Sequence, residues 1–308
     1  MAAVFLASSP ALAMPKPPLR GELVDIGGRN IRVLCQGPRS DKPLVLFEAG
    51  MFGSAASWDA VQTRLAAIGM RSCAYDRAGI GFSDPGPMPR DATAINADFE
   101  AWLKAKGETG PFILVAHSLG GLEMRMFAVR HPDEVRGLVM VDTTSPELAG
   151  ARDGRIFLED YGAFARSAEI LSQVGILTTL TQWLGDQEGL TGDAHDEMIY
   201  FFSKRHDQKY AINEVANVYR RGKEALAAGP LDPDIPVTSV VLDGELDWTS
   251  EWGRLRNVEA RQSHYGAQID ITSGTHPEMI GPKHADDIVR AIQSVIYADE
   301  RRRAGMPH

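Results

Sequence analysis

The sequence predicts an α/β fold built on a mainly parallel β-sheet. Segments with helical spacing alternate with short apolar runs, as at 58–68, where the apolar residues share one helix face. The apolar runs have the length and composition of strands buried on both faces: LVLF at 44–47, FILV at 112–115, LVMV at 138–141 and VTSVVL at 237–242. Such alternation is typical of βαβ units, whose strands run parallel.

Two more strands are predicted before this alternation begins. Residues 21–36 contain the runs GELVDI and IRVLCQ, separated by a turn at 27–30 that suits a hairpin. A hairpin joins antiparallel strands, so we expect the sheet to begin antiparallel and to become parallel afterwards.

Residues 1–13 have features of a signal-peptide remnant. The run AAVFLA at 2–7 is apolar, and Ala11-Leu12-Ala13 fits the A-x-A pattern that precedes a signal-peptidase cut. The basic region of such peptides is missing, because no Lys or Arg precedes Lys16. We expect a periplasmic or secreted protein, with a cytoplasmic location as the alternative.

The overall composition restricts the classes of partner. Hydrophobic residues make up 44% of the 308 residues and charged residues 24%, which is typical of soluble globular proteins. A formal net charge of -9 argues against nucleic acid and anionic membrane surfaces as partners. No segment approaches the roughly 18 apolar residues of a membrane span. We therefore expect a small-molecule substrate, and the oligomeric state stays open.

The segment AHSLGG at 116–121 has the pattern of a nucleophile turn. It follows the FILV strand directly and opens the helical pattern LEMRMFAVRH. A sharp strand–serine–helix turn needs small residues two positions on either side of the serine, and here these are Ala116 and Gly120. Such a turn presents the Ser118 hydroxyl above the sheet and the Leu119 N–H at a helix N-terminus. The pattern predicts Ser118 as a catalytic nucleophile.

With this turn, four further segments make the chain resemble the α/β-hydrolase superfamily, in its serine esterase and lipase-like branch. AGM at 49–51 stands where the family has a His-Gly-x oxyanion loop, and YDRAGIGFS at 75–83 is similar to its D-x-x-G-x-G-x-S loop. GELD at 244–247 is similar to the loop that carries the triad acid, and SGTH at 273–276 is similar to the loop that carries the histidine. Two departures are Ala116 in place of the usual Gly and Ala49 in place of the usual His.

The resemblance implies a mainly parallel sheet of about eight strands flanked by helices, with a helical cap inserted after the sixth strand. The core then occupies 20–144 and 237–298 and the cap 145–236. In this strand order the second and fourth strands are neighbours, so Cys35 and Cys73 could face each other. We expect each cysteine to be a small buried hydrophobe, and a disulfide, which export would permit, is the alternative.

A catalytic triad of Ser118, His276 and Asp247 is implied by the same resemblance. His276 follows a strand in a Gly-containing loop late in the chain, and the order Ser…Asp…His is the one that this fold uses. Asp142, at the end of the LVMV strand, is the alternative acid, because some members of the superfamily place it there.

The oxyanion hole is expected to consist of the backbone N–H groups of Met51 and Leu119, with Phe52 as the alternative to Met51. Glu48 and Arg77 end what should be adjacent strands. An ion pair between them could anchor the oxyanion loop, but we prefer the interpretation of an ordinary strand-end salt bridge.

The segment 145–236 is rich in aromatic residues and has no convincing strand. Because connections emerge at the carboxyl edge of a parallel sheet, this block should lie above Ser118. It either covers a substrate pocket or supplies packing helices. Candidate pocket residues are Phe52, Trp183 and Phe202.

The function implied by the resemblance is that of a serine hydrolase, which cleaves carboxylic esters of a small to medium, apolar substrate through an acyl-enzyme. The serine excludes the haloalkane dehalogenase and epoxide hydrolase branches, which use an aspartate there. The same triad serves amidases and peptidases, thioesterases, lactonases and C–C hydrolases, and a ligand-binding, receptor-like protein is the alternative from another class. No metal or organic cofactor is expected, because no ligand cluster or phosphate-binding loop is visible.

Overall fold

The computed structural model describes residues 15–306, apart from 153, 157, 161, 164–186, 243–254 and 256. Its centre is an eight-stranded sheet in the order β1-β2-β4-β3-β5-β6-β7-β8. The strands are β1 Glu22–Asp25, β2 Asn30–Gln36, β3 Leu44–Glu48, β4 Ser72–Tyr75, β5 Phe112–His117, β6 Val135–Val141, β7 Val237–Leu242 and β8 Gly266–Ile271. The predicted fold class is confirmed.

The first two pairings of the sheet are antiparallel and the rest are parallel. Strand β2 pairs with β1 and β4 antiparallel, as expected from the hairpin at its start. The register of β2 and β4 places Cys35 opposite Cys73, with Cα atoms 4.0 Å apart, and a disulfide joins them. The expectation of two separate hydrophobic cysteines is therefore wrong, because the antiparallel pairing brings the thiols face to face.

Helices cover both faces of the sheet. They are α1 Asp59–Ala67, α2 Ala92–Ala105, α3 Gly120–Arg130, α4 Glu147–Gly150, α5 Gly192–Ser203, α6 Arg205–Ala216, α7 Val218–Ala227, α8 Val258–Gln262 and α9 Ala285–Arg303. Short 3₁₀ helices lie at Ala55–Trp58 and Pro277–Ile280. Helices α1 and α9 pack in one apolar cluster with the sheet, and α2, α3 and α8 pack in another. Burial of their large apolar side chains stabilises the layers by about 1.5–3 kcal/mol per residue.

Helices α4 to α7 belong to the insertion between β6 and β7. Each of α5, α6 and α7 is tied to the core by a buried ion pair: Glu197 with Arg32 at 2.8 Å, Glu214 with Arg77 at 2.8 Å and Arg221 with Glu123 at 2.7 Å. The predicted signal-peptide remnant at 1–13 lies outside the described residues. In the part of the chain that the structure describes, none of the helices combines the length and apolarity needed to cross a bilayer.

Candidate active site

Ser118 lies in a sharp turn between β5 and α3. Its φ of 53° is in the left-handed region, which is strained for a residue with a side chain. The turn is held by the Ser118 N–H, which donates to the Val141 carbonyl at 3.1 Å. A Cβ atom at Gly120 would approach the Ala49 carbonyl oxygen to 2.7 Å, so this position requires glycine. The geometry is that of a nucleophile elbow.

His276 and Asp142 are joined by a hydrogen bond at the same edge of the sheet. The Nδ1–H of His276 donates to Asp142 Oδ2 at 2.5 Å. Asp142 directly follows β6, with a φ of 49°, and its side chain is fully buried. The His276 side chain is 38% exposed, so its ring is accessible from outside while its acid partner is not.

His117, the residue before Ser118, contacts the loop that carries His276. Its ring lies 4.5 Å from the ring of His276, and its Nε2 lies 3.1 Å from the His276 carbonyl oxygen. A carbonyl can only accept, so Nε2 carries the proton. Burial, with the charge of His276, lowers the pKa of His117 well below 6.5, although the bond to the carbonyl opposes this shift. His117 is therefore a neutral donor that connects the elbow to the His276 loop.

The loop after β3 packs directly against the elbow. A Cβ atom at Gly50 would come within 2.9 Å of both Ser118 Cβ and His117 Nδ1, so the backbone at Gly50 approaches too closely for any side chain. Met51 and Phe52 follow and pack in one apolar cluster with Leu119. The residues expected to supply the two oxyanion donors, Met51 and Leu119, thus lie in segments that are in contact.

Beneath this loop lies a buried cluster of charges. Arg77 donates to Glu48 Oε1 at 2.7 Å, and Nε of Arg77 donates to both carboxylate oxygens of Glu214 at 2.9 and 3.0 Å. The Tyr75 hydroxyl donates to the other oxygen of Glu48. Burial raises the pKa of Glu48 to about 7 against the effect of Arg77, and the carboxylate of Glu123 adds to this rise. The expected pair of Glu48 and Arg77 exists, but its burial and its third partner distinguish it from an ordinary strand-end salt bridge.

One side of the site is apolar and includes residues of the insertion. The rings of Phe52 and Phe202 are 6.1 Å apart, which brings two of the predicted pocket residues together. Ile212 and Val215 of α6 pack in the same cluster as Leu119. Trp183, the third predicted pocket residue, lies outside the described residues.

The described structure therefore places Ser118, His276, Asp142 and the backbone at Met51 and Leu119 at one edge of the sheet, where His117 links the elbow to the loop of His276. The predicted acid Asp247 lies outside the described residues. Sequence reasoning missed the bond from His117 to the His276 carbonyl and the participation of Glu214, which is 137 positions from Arg77. No local pattern could have found the latter. Within the residues described, no group of three or more His, Cys, Asp or Glu side chains is placed to hold a metal ion.

Known sequences and structures resemble this chain. The profile of a family described as "alpha/beta hydrolase fold" matches residues 43–168. An uncharacterised protein of Schizosaccharomyces pombe is 36% identical over 232 residues, which is 74% of this chain and 42% of that protein. The chain spans less than half the length of the curated relatives it matches.

Among solved structures, an enol-lactonase from Burkholderia xenovorans LB400 has a TM-score of 0.64 and 16% identity, covering 90% of this chain and 100% of that one. A mutant epoxide hydrolase from Vigna radiata has a TM-score of 0.69 and 17% identity, covering 90% and 98%. At these identities the similarity is one of fold, and it agrees with the strand order described above.

Proposed function

Because the chain belongs to the α/β-hydrolase superfamily, we propose that it is a serine hydrolase that cleaves carboxylic esters through an acyl-enzyme intermediate. The observation that carries this proposal is the arrangement at the sheet edge. A serine with a φ of 53° lies in the turn just before α3, and the loop beside it holds His276 in a hydrogen bond to the buried Asp142. A nucleophile, a base and an acid that orients the base are the parts that such chemistry requires.

In the proposed reaction the Ser118 hydroxyl oxygen attacks the ester carbonyl carbon, and Nε2 of His276 takes the hydroxyl proton. The backbone N–H groups of Met51 and Leu119 donate to the oxyanion. Collapse of this intermediate breaks the ester bond, and His276 returns the proton to the departing alcohol. Water then attacks the acyl carbon while His276 takes one of its protons, and as the bond to Ser118 Oγ breaks, His276 returns that proton to Oγ and the acid leaves.

The acid of the triad is proposed to be Asp142. What supports it is the 2.5 Å bond between His276 Nδ1 and Asp142 Oδ2, together with the complete burial of that carboxylate. A buried carboxylate selects the tautomer with the proton on Nδ1, which leaves Nε2 free to act as the base. Asp247, the acid implied by the family's usual order, is then not required for orienting His276.

We also propose that the insertion covers the site and that the substrate is small to medium in size and apolar. The support is the contact of the insertion with the loop after β3, through the rings of Phe202 and Phe52, and the apolar cluster that Ile212 shares with Leu119 of the elbow. The carboxylate of Glu214, which lies next to Val215 in the chain, is buried and paired with Arg77, so it does not present a free charge to this surface. An apolar acyl or alcohol group is the class of ligand that such a surface favours.

Export from the cytoplasm is part of the proposal. The A-x-A pattern at 11–13 and the disulfide between Cys35 and Cys73 both favour it, because structural disulfides persist in oxidising compartments. Cell fractionation of the tagged, full-length protein tests this point. Recovery of all the protein in the cytoplasm with its N-terminal residues intact would contradict it.

The enzymatic proposal is tested with a fluorophosphonate probe and a panel of nitrophenyl esters, lactones, thioesters and amides. We expect covalent labelling at Ser118 and multiple turnover of the esters. Ser118→Ala and His276→Ala should each lower turnover by at least about 10³-fold, while circular dichroism shows that they fold. Labelling without turnover of any substrate would instead favour the receptor-like, ligand-binding alternative.

A further inference from the structure

The guanidinium of Arg77 makes contacts that an ion pair alone does not explain. Its Nη1 donates to the carbonyl of Ala49 at 2.7 Å and its Nη2 to the carbonyl of Gly50 at 2.9 Å. These carbonyls belong to the loop that carries Met51. Arg77 therefore uses its donors on two successive peptide groups as well as on the carboxylates of Glu48 and Glu214.

The second of these peptide groups is the one that ends in the Met51 N–H. A trans peptide is planar, and its C=O and N–H point in opposite directions. A donor that fixes the Gly50 carbonyl on one side therefore fixes the direction of the Met51 N–H on the other. A cation at the carbonyl also polarises the amide and makes its N–H a stronger donor.

We propose that Arg77 is a positioning residue of the oxyanion hole, which aims the Met51 N–H at the reacting carbonyl oxygen by holding the Gly50 carbonyl from behind. This inference rests on the proposed hydrolase function. Arg77 then affects the transition state without touching the substrate, which an ordinary buried ion pair would not do.

The other proposed donor is held in a different way. The Leu119 N–H shares its peptide with the Ser118 carbonyl, which accepts from the Thr144 N–H at 3.0 Å and the Gly121 N–H at 3.2 Å. Backbone groups thus fix this peptide without any side chain. In the loop after β3, the backbone supplies the Gly53 N–H to the Gly50 carbonyl at 3.2 Å, and Arg77 supplies the shorter bond.

Arginine is suited to this position by the number and plane of its donors. It presents five N–H groups in a rigid fork, whereas lysine presents one compact ammonium. Burial by itself would lower the pKa of Arg77, but the carboxylates of Glu214 and Glu48 raise it well above its usual value, so the cation persists. Glu214 lies on α6, so the insertion holds the same guanidinium that holds the loop.

The chain offers a matched control in Arg221. It is as buried as Arg77, and it pairs with Glu123 through Nε and Nη2 at 2.8 and 2.7 Å. Its carbonyl contacts, Glu214 at 3.4 Å and Leu119 at 3.5 Å, belong to peptides that carry neither proposed oxyanion donor. Replacing Arg221 by lysine should therefore disturb the packing of the insertion without turning a donor of the hole.

The experiment compares hydrolysis of p-nitrophenyl butyrate with that of its thiono analogue, whose C=S replaces the reacting C=O. Sulfur is a weak hydrogen-bond acceptor, so the ester gains much more from the oxyanion hole than the thionoester does. The ratio of the two kcat/KM values reports on the hole and is independent of the fraction of enzyme that is folded. A structural defect alone lowers both values and leaves their ratio unchanged.

For Arg77→Lys we expect kcat on the ester to fall by about 10²-fold with KM changed less than about 3-fold, and the ester-to-thionoester ratio to fall about 10-fold. Arg221→Lys should keep the wild-type ratio. If Arg77→Lys does not fold, Arg77→Gln combined with Glu214→Gln leaves no Glu214 charge unpaired and should show the same fall in ratio.

A wild-type ratio in the folded Arg77 variant would overturn the inference, and so would an equal fall in Arg221→Lys. Failure of the wild-type enzyme to hydrolyse the ester, or equal turnover by Ser118→Ala, would overturn the proposed function and this inference with it. The two failures are thus distinguished by the wild-type and Ser118→Ala reactions, which are run beside the Arg77 variants.

Discussion

Asp142 accepts a hydrogen bond from Nδ1 of His276 at 2.5 Å, although the two residues are 134 positions apart in the chain. Asp142 directly follows β6, whose neighbours in the sheet are β5, which leads to Ser118, and β7. The side chain of Asp142 is fully buried, so water does not compete for its carboxylate. Charge-assisted bonds in such surroundings are among the stronger hydrogen bonds in proteins.

Asp142→Asn should lower kcat by about 10²–10⁴-fold, because an amide does not select the Nδ1–H tautomer or stabilise the imidazolium that forms during attack. Asp247→Asn is the matched control, and it should stay within about 3-fold of the wild type. Both are measured as kcat on one nitrophenyl ester at saturating concentration. Inactivity of Asp247→Asn with near-normal activity of Asp142→Asn would reverse the assignment.

The disulfide between Cys35 and Cys73 closes a loop with a sequence separation of 38 and joins β2 to β4. In the chain-entropy model a loop of this size is worth about 3–4 kcal/mol of unfolding free energy. Cys35→Ala combined with Cys73→Ala should therefore lower the urea midpoint, and reduction of the wild type should lower it to a similar extent. The double variant itself should be insensitive to reductant. Titration of two free thiols in unfolded, unreduced protein would show that the bond does not form.

Local sequence patterns were sufficient for the sheet and for the sharp turn at Ser118. The FILV run and the small residues Ala116 and Gly120 predict the elbow, because the sterics of the turn depend only on near neighbours. The hairpin before Cys35 correctly predicted an antiparallel start. In these places the structure follows from interactions within a few residues.

The acid and the charge cluster depend on contacts between distant segments. Asp142 and Asp247 both come after predicted strands of one sheet, and strand patterns do not show which of the two carboxylates contacts His276. The sequence around Glu214 does not indicate that its partner is Arg77, because their contact depends on how the insertion folds back onto the core. The thiols of Cys35 and Cys73 likewise meet only once β2 and β4 are paired.

Glu259 on α8 should make the stability of the protein fall as the pH rises. Its carboxylate is buried and has no hydrogen-bond partner among the described residues, and Arg125 Nε lies 3.8 Å away. Burial, with the charge of Glu147, raises the pKa of Glu259 from 4.5 to about 7. A carboxyl group whose pKa is raised by folding contributes its stability below about pH 4.5 and loses it as the pH rises towards 7.

Glu259→Gln resembles the protonated acid at every pH. The difference in unfolding free energy between Glu259→Gln and the wild type should increase between about pH 4.5 and 7 and then level off. The total increase in this difference should be at most about 3 kcal/mol. Chemical denaturation at a series of pH values measures this difference. Glu300→Gln, at an exposed position, serves as the control and should show a nearly constant difference. A constant difference for Glu259→Gln as well would show that Glu259 ionises normally in the folded protein.

Phe202 should control which acyl chains the enzyme accepts. Its ring lies 6.1 Å from that of Phe52, in the loop that carries the proposed oxyanion donor Met51. Each CH₂ group buried by an acyl chain is worth about 0.8 kcal/mol, which is roughly fourfold in kcat/KM. A closed apolar pocket should thus favour chains of about C4–C8 and reject longer ones once it is full. Phe202→Ala would enlarge the proposed pocket and should move the optimum towards longer chains, with the rate on acetate changed less than about 3-fold.

The neighbouring Phe201 is the control for this prediction, because it lies on the same helix but packs against Phe82 at 5.4 Å. Phe201→Leu should lower the unfolding midpoint while leaving the chain-length optimum in place. The measurement is kcat/KM for nitrophenyl esters from acetate to laurate with each variant. If both variants keep the wild-type optimum, the acyl chain does not contact Phe202. If both variants move it equally, the effect arises from loosening of α5 and not from the size of one ring.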